Sequence, residues 1–425
     1  MNKPVTANEV IANGRSYSWP KTSTVVVCID GSEPEYIDAT IQRGLTPTLA
    51  RMMATGWHTL AKSAMPSFTN PNNISMITGT PPSVHGIAGN YFYDRSTGEE
   101  VMMNDTRFMR ADTIIKAFHD AGAKVAVVTA KDKLRTLLGN GLDFAEGRAI
   151  TFSSEKADQA TRKENGIGDV LNFVGMPLPE VYSADLSEFV FAAGVKLLRT
   201  VRPHLMYLST ADYVQHKAAP GTPLADAFYQ MIDHYVAALD ALGCVLALTA
   251  DHGMNDKCLP NGQPDVLYLQ DWFDARIGAN TARVILPITD PYVAHHGSLG
   301  SFATVYLPDD TAPAPVLETL RCIDGIEVAI GRDEACRRFE LPPDRVGDIV
   351  IIATQHKVLG TTAKRHDLSG LTEPLRSHGG LTEQTVPMIV NRKVDWPVDH
   401  VRNFDVFSIA LNRSRAPADF AAAAS

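Results

Sequence analysis

The chain has 425 residues, 45% of them hydrophobic and 20% charged, with a formal net charge of −9. This length exceeds one ordinary domain and predicts two. The composition is that of a globular protein, and an acidic total with no basic run argues against nucleic acid as the main partner. No stretch is apolar and long enough to cross a bilayer, and residues 1–21 lack the apolar core of a secretory signal. Both point to a cytoplasmic protein without a membrane partner. The five cysteines (Cys28, Cys244, Cys258, Cys322 and Cys336) are widely spaced. They read as free thiols in a reducing compartment rather than as disulfides or metal thiolates.

The first predicted strand, Thr24 to Asp30, is a β-branched run closed by an acid and Gly31. A helix is expected from Thr46 to Thr55, with Pro47 near its start and Gly56 beyond its end. The Pro-, Asn- and Ser-dense segment from Ala64 reads as a loop leading to a helix that stops at Gly79, with Thr69 as its N-cap and Pro71 in its first turn. A helix and a strand, Lys124 to Ala130, follow, and residues 141–185 read as an irregular excursion. Two helix–strand units come next: a helix near 185–200 before the strand Leu205–Leu208, and one near 223–242 before Cys244–Leu248. This alternation predicts an α/β fold with a mainly parallel central sheet flanked by helices and joined by right-handed crossovers. Residues 260–370 change to short alternating runs and read as an inserted, smaller α+β cap lobe. The catalytic core is expected over 22–256 and 372–412, and the Ala-rich end, 413–425, as a flexible tail.

Polar residues at the ends of apolar strands carry the chemistry. Asp30 closes the first strand, Asp212 and His216 follow the Leu205 strand, and Asp251 and His252 follow the Cys244 strand. His378 lies in Ser377-His378-Gly379-Gly380. Carboxylates and imidazoles at the carboxyl ends of parallel strands are where an α/β sheet places ligands and catalytic groups. Three aspartates and three histidines form an N,O set suited to Zn²⁺, with Mn²⁺ or Fe²⁺ as alternatives, and they are too many for one tetrahedral ion. The Thr69 hydroxyl among them suggests a metal-activated nucleophile. Taken singly these residues have plainer readings: Thr69 as a cap, Asp30 as a turn former, Asp212 and His216 as a surface pair four apart. His85 reads as structural, and His295-His296 as lobe residues near the mouth of the site.

In this order the segments Val27-Cys28-Ile29-Asp30-Gly31, Phe68-Thr69-Asn70-Pro71-Asn72, Asp212 to His216, Asp251-His252-Gly253 and His378-Gly379-Gly380 resemble the alkaline phosphatase superfamily. The likeness is greatest to its nucleotide pyrophosphatase/phosphodiesterase-like branch. It implies two zinc ions, one on Asp212, His216 and His378 and the other on Asp30, Thr69, Asp251 and His252. It also implies that Asn90 donates to a phosphoryl oxygen. Within that branch the chain resembles the phosphonoacetate hydrolases through Thr129-Ala130-Lys131-Asp132-Lys133, where the family's lysines bind the substrate carboxylate. Cleaving a C–P bond expels a carbanion, and ammonium groups aimed at the carboxylate into which its charge spreads stabilise the transition state.

The implied activity is hydrolysis of phosphonoacetate to acetate and phosphate through a phosphothreonine, on a small-molecule phosphonate, in a monomer or homodimer. A nucleotide pyrophosphatase/phosphodiesterase, with Tyr91, Phe92 and Tyr93 as a nucleoside slot, is the alternative. A metal-dependent phosphomutase or another metal-dependent phosphoesterase, and a non-catalytic phosphonate-binding protein, are further ones. A sulfatase is disfavoured, since no Cys or Ser stands at the nucleophile position.

Overall fold

The computed structural model describes residues 9–288, 298–397 and 399–414. His295, His296 and the tail beyond Ser414 lie outside the described residues. Among these residues the core strands are β1 (Thr24–Cys28), β2 (Trp57–Lys62), β3 (Val125–Thr129), β4 (Ala149–Ser153), β5 (Leu205–Ser209) and β6 (Val245–Thr249). The lobe contributes β7 (Arg283–Ile285), β8 (Phe302–Tyr306), β9 (Ile326–Gly331) and β10 (Ile349–Ala353), and β11 (Thr385–Val390) returns to the core.

The central sheet has seven strands in the order β2-β11-β6-β1-β5-β3-β4. The run from β6 to β4 is parallel throughout; β11 lies antiparallel between β6 and β2. The fold class is therefore α/β with a mostly parallel sheet, as the strand–helix alternation predicts. Alternation along β1 splits the core into two layers. Val25 and Val27 join a cluster with the helices Pro34–Gln42, Pro47–Thr55, Asp185–Thr200 and Pro223–Asp240. Val26 and Cys28 join a cluster with the helices Thr69–Thr78 and Ile114–Asp120, and that cluster continues into the lobe. Burying each such aliphatic side chain contributes about 1.5–3 kcal/mol, which is why both faces of these strands read as unbroken apolar runs. The lobe carries an antiparallel sheet in the order β7-β8-β10-β9.

Two expectations need correction. The excursion over 141–185 contains β4, the edge strand beside β3, with all five residues buried. Its Thr and Ser hide it from an apolar-run search, and the Asn165 side chain covers its outer edge by donating to the Thr151 carbonyl at 2.8 Å. Thr69 is the first residue of its helix, not the cap; Phe68 occupies the cap position in an extended conformation. The Thr69 hydroxyl is thus not used on its own helix. The helix does end at Gly79, whose φ of 66° is the left-handed geometry that glycine adopts without strain.

The helix Pro47–Thr55 is capped from elsewhere in the chain. The side chain of its N-cap residue, Thr46, bonds Thr40 rather than the helix, and buried Asp233 accepts from the amides of Thr48 at 3.1 Å and Leu49 at 2.7 Å. Asp233→Ala is expected to leave both amides unpaired and cost about 1–3 kcal/mol. Urea unfolding measures that loss, and kcat/KM of the folded variant should equal that of the parent chain.

Candidate active site

Register brings the site together. Thr249, Cys28, Ser209 and Thr129 form one row across β6, β1, β5 and β3. Two residues beyond that row come Asp251, Asp30 and Lys131; three beyond it comes Asp212. The chain leaves the sheet at one edge in each case, the edge where parallel sheets hold their ligands. His378 arrives by another route. Ser377 pairs with Asn255 in a short ladder, and Gly379 bridges to Ser67, two residues before Thr69.

Two tight groups result: Asp212, His216 and His378, and Asp30, Asp212 and His252. Asp212 Oδ2 lies 3.1 Å from His216 Nε2 and 3.9 Å from His378 Nε2. His252 Nε2 lies 3.3 Å from Asp30 Oδ1 and 3.3 Å from Thr69 Oγ1. The His252 and His378 rings stack at 3.6 Å. Asp251 stands behind these groups. It accepts from the amides of Gly31 and His252 and from the Asn73 side chain at 3.0 Å, and its nearer oxygen is 4.0 Å from His252 Nε2.

The donor set fits divalent metal ions. Each of the three imidazoles sets Nδ1 against a backbone carbonyl: His216 to Arg376 at 2.9 Å, His252 to Gly253 at 2.9 Å, His378 to Ser67 at 2.8 Å. A carbonyl only accepts, so Nδ1 carries the proton and the Nε2 lone pair faces the cluster, the arrangement metal-binding histidines adopt. Both Asp30 oxygens are buried and receive no hydrogen bond from a described residue. Burial, with Asp212 and Asp251 close by, pushes the Asp30 carboxyl up to about 8. Asp212 feels the same burial, yet Lys131 and the neighbouring imidazoles hold it well below the usual range. Burial works against a charge on His252, but Asp251 and Asp30 outweigh it and raise the imidazole to about 9, so protons and metal ions compete for its Nε2.

Thr69 and Asn90 share a cavity of about 330 Å³ with Lys131 and Lys133, and Asn104 and Glu155 also line it. Lys131 Nζ reaches Asp212 at 3.1 Å and Asp30 at 3.7 Å, whereas Lys133 is exposed at the cavity rim. Among the described residues Tyr91, Phe92 and Tyr93 do not line this cavity. Phe92 packs on Phe108, and Tyr93 packs on Tyr306 beneath the Arg283 guanidinium. Sequence reasoning missed Asn73, which ties Asp251 to Tyr207 and Ser209. Its signal was its position four residues after Thr69 on the same helix. It also missed Ser67 and Arg376, whose main-chain carbonyls leave no mark in a sequence.

The profile of the type I phosphodiesterase / nucleotide pyrophosphatase family matches residues 24–381, most of the chain. The chain belongs to this family. Phosphonoacetate hydrolase from Sinorhizobium meliloti 1021, crystallised with phosphonoformate and with phosphonoacetate, is 60% identical with a TM-score of 0.93, over 96% of this chain and 99% of that one. The resemblance read from the sequence therefore holds, and the protein is a hydrolytic enzyme. Murine ectonucleotide pyrophosphatase/phosphodiesterase 5 has a TM-score of 0.61 at 17% identity over 93% of this chain and 96% of that one, a likeness of fold alone. An uncharacterised pyrophosphatase/phosphodiesterase of Schizosaccharomyces pombe is 23% identical over 224 residues, 52% of this chain but only 40% of that protein. The chain thus matches less than half the length of that curated relative. No described helix is long and apolar enough to cross a membrane.

His85 stands outside the cluster and has a structural place. Its Nδ1 accepts from the Ile87 amide at 3.1 Å, so Nε2 carries the proton and donates to Ser75 Oγ, 2.8 Å away on the helix Thr69–Thr78. Burial, with Arg345 beside it, pushes the imidazole from 6.5 down to about 3. The unfolded chain takes up this proton near pH 6.5 and the folded chain only near pH 3, so stability is lost as pH falls through that window. His85→Gln removes this dependence. The stability difference between the parent chain and the variant, from urea unfolding of metal-free protein, is expected to shrink steadily from pH 7 to pH 4.

Proposed function

We propose that the protein is a zinc-dependent phosphonoacetate hydrolase that cleaves the C–P bond to give acetate and phosphate through a phosphothreonine at Thr69. The observation that supports this reading is the cavity, whose lining includes Lys131 and Lys133 as well as Thr69 and Asn90. A phosphate ester needs no such cations; a substrate with a carboxylate beside its phosphonate does. The 60% identical relative, crystallised with phosphonoacetate, supports the same substrate. The absence of Tyr91, Phe92 and Tyr93 from the described cavity wall weighs against the nucleotide reading.

In this reading Asp212, His216 and His378 hold one zinc, and Asp30, Asp251, His252 and Thr69 the other, with Asp251 moving in from its amide partners. Bound there, zinc supplies Lewis acidity that eases deprotonation of Thr69 and offsets charge on the phosphonate oxygens. The residues do the rest. Thr69 Oγ, at the positive end of its helix, attacks phosphorus as Asn90 donates to a phosphonate oxygen. The P–C bond breaks as the O–P bond forms, and the electron pair passes to carbon and spreads into the carboxylate facing the lysines. Protonation at carbon gives acetate. Water then cleaves the phosphothreonine, restoring the hydroxyl and releasing phosphate. The lobe over residues 260–370 closes over this edge of the core as a cap.

Thr69→Ala is expected to abolish turnover in a folded protein that still takes up two zinc ions per chain, measured by metal analysis alongside phosphate release. Near-normal hydrolysis by that variant excludes the phosphothreonine, and saturation at one ion in active parent protein excludes the two-zinc assignment. Chelation should abolish activity and zinc restore it.

A charge-assisted contact to a carboxylate is worth roughly 1.5–3 kcal/mol. Lys131→Ala or Lys133→Ala should therefore lower phosphonoacetate turnover at least about tenfold, while hydrolysis of an aryl phosphate falls much less. Equal losses of both activities in the single and double variants would make the lysines general phosphate binders and favour the phosphodiesterase reading.

A further inference from the structure

A second set of charges lies behind the histidines. Lys257 and Glu383 are both fully buried, and their charged atoms are 2.8 Å apart. Glu383 Oε1 accepts from Lys257, from Asn255 Nδ2 at 2.6 Å and from Thr382 Oγ1 at 2.7 Å, and Oε2 accepts from the Gly380 amide at 2.8 Å. Four donors thus converge on one carboxylate, three of them on Oε1. The Glu383 main-chain carbonyl also accepts from the Gly253 amide at 2.7 Å. One residue thus grips the turn after His252 and the turn after His378. Both turns reach the imidazoles: His252 Nδ1 donates to the Gly253 carbonyl, and Gly380 anchors Ser67, whose carbonyl receives His378 Nδ1.

A buried ion pair is weak evidence for stability, because desolvation of the two charges offsets their attraction. The geometry points to a different use. We propose that Glu383, held in place by Lys257, is the positioning residue that fixes His252 against His378 and thereby sets the spacing of the two metal sites. This rests on the two-zinc reading above. The partners of Glu383 outside its own turn are Asn255, Lys257 and Gly253, all on the segment that follows Asp251-His252, so the pair couples the ligands of one ion to those of the other.

The test is zinc binding, read without turnover. Metal-free protein is titrated with zinc against a competing chelator, for the parent chain, Glu383→Gln/Lys257→Met and Glu383→Asp, and each metal-free form is melted. The double variant removes both charges at similar volume; Glu383→Asp keeps the charge but draws it back by one methylene, and it carries the test if the double variant does not fold. Zinc affinity should fall at least about tenfold in either variant, the usual effect of removing support behind metal ligands. Asp233→Ala, which uncaps the helix Pro47–Thr55 and touches none of the candidate ligands, should melt earlier and bind zinc as the parent does. Zinc affinity within twofold of the parent in a folded Glu383 variant overturns the proposal, whatever its melting temperature. A parent chain that takes up no zinc overturns the metal reading itself and is distinguishable, since the failure then precedes any substitution.

Discussion

Three carboxylates are buried at one edge of the sheet, and one lysine ammonium stands among them. Asp30, Asp212 and Asp251 are at most 1% exposed, and among the described residues Lys131 is the only lysine or arginine within ion-pair distance of any of them, 3.1 Å from Asp212 and 3.7 Å from Asp30. Moving such charges out of water is costly unless they are matched. The chain therefore either protonates a carboxyl group, as the upward push on Asp30 expresses, or recruits cations. The remaining arrangement follows from that second solution. The imidazoles are turned by carbonyls so that their Nε2 atoms face the carboxylates, and Asp251 is steadied by two amides and an asparagine.

The sheet makes this concentration of charge affordable in structural terms. Asp30, Asp212, Asp251 and His252 each follow a strand whose residues are packed on both faces, so their main chain is fixed by the core rather than by the site. Thr69 lies on a different element, the buried helix Thr69–Thr78, which is pinned by His85 and by Asn73. Because Phe68 is the cap, the Thr69 hydroxyl stays directed at His252, 3.3 Å away, instead of closing its own helix end. Local capping propensity and tertiary contacts compete here, and the tertiary contacts win.

Much of this was legible in the sequence, for a definite reason. Strands buried on both faces carry uninterrupted apolar runs, so β1, β3, β5 and β6 could be located within a residue or two, and the polar residues ending them stood out. Strand β4 was not legible, because Thr151 and Ser153 are buried by packing and an asparagine contact that no periodicity reports. Strand β2, half exposed at the other edge, gave too weak an alternation to read. The aromatic run Tyr91-Phe92-Tyr93 looked like a nucleoside slot, yet its contacts place Phe92 and Tyr93 against Phe108 and Tyr306.

The sequence by itself determined the residue types of the site, their order and the class of sheet that would gather them. These depend on local chemistry and on apolar runs, which are written in the chain directly. Only the tertiary structure decided which groups meet. The single row of Thr249, Cys28, Ser209 and Thr129 is a matter of register between strands far apart in sequence. The orientation of each histidine depends on a backbone carbonyl, a group that every residue carries and no sequence can single out. The buried pair of Lys257 and Glu383 was invisible for the same reason: two ordinary charged residues 126 positions apart become partners only when folding removes the water between them.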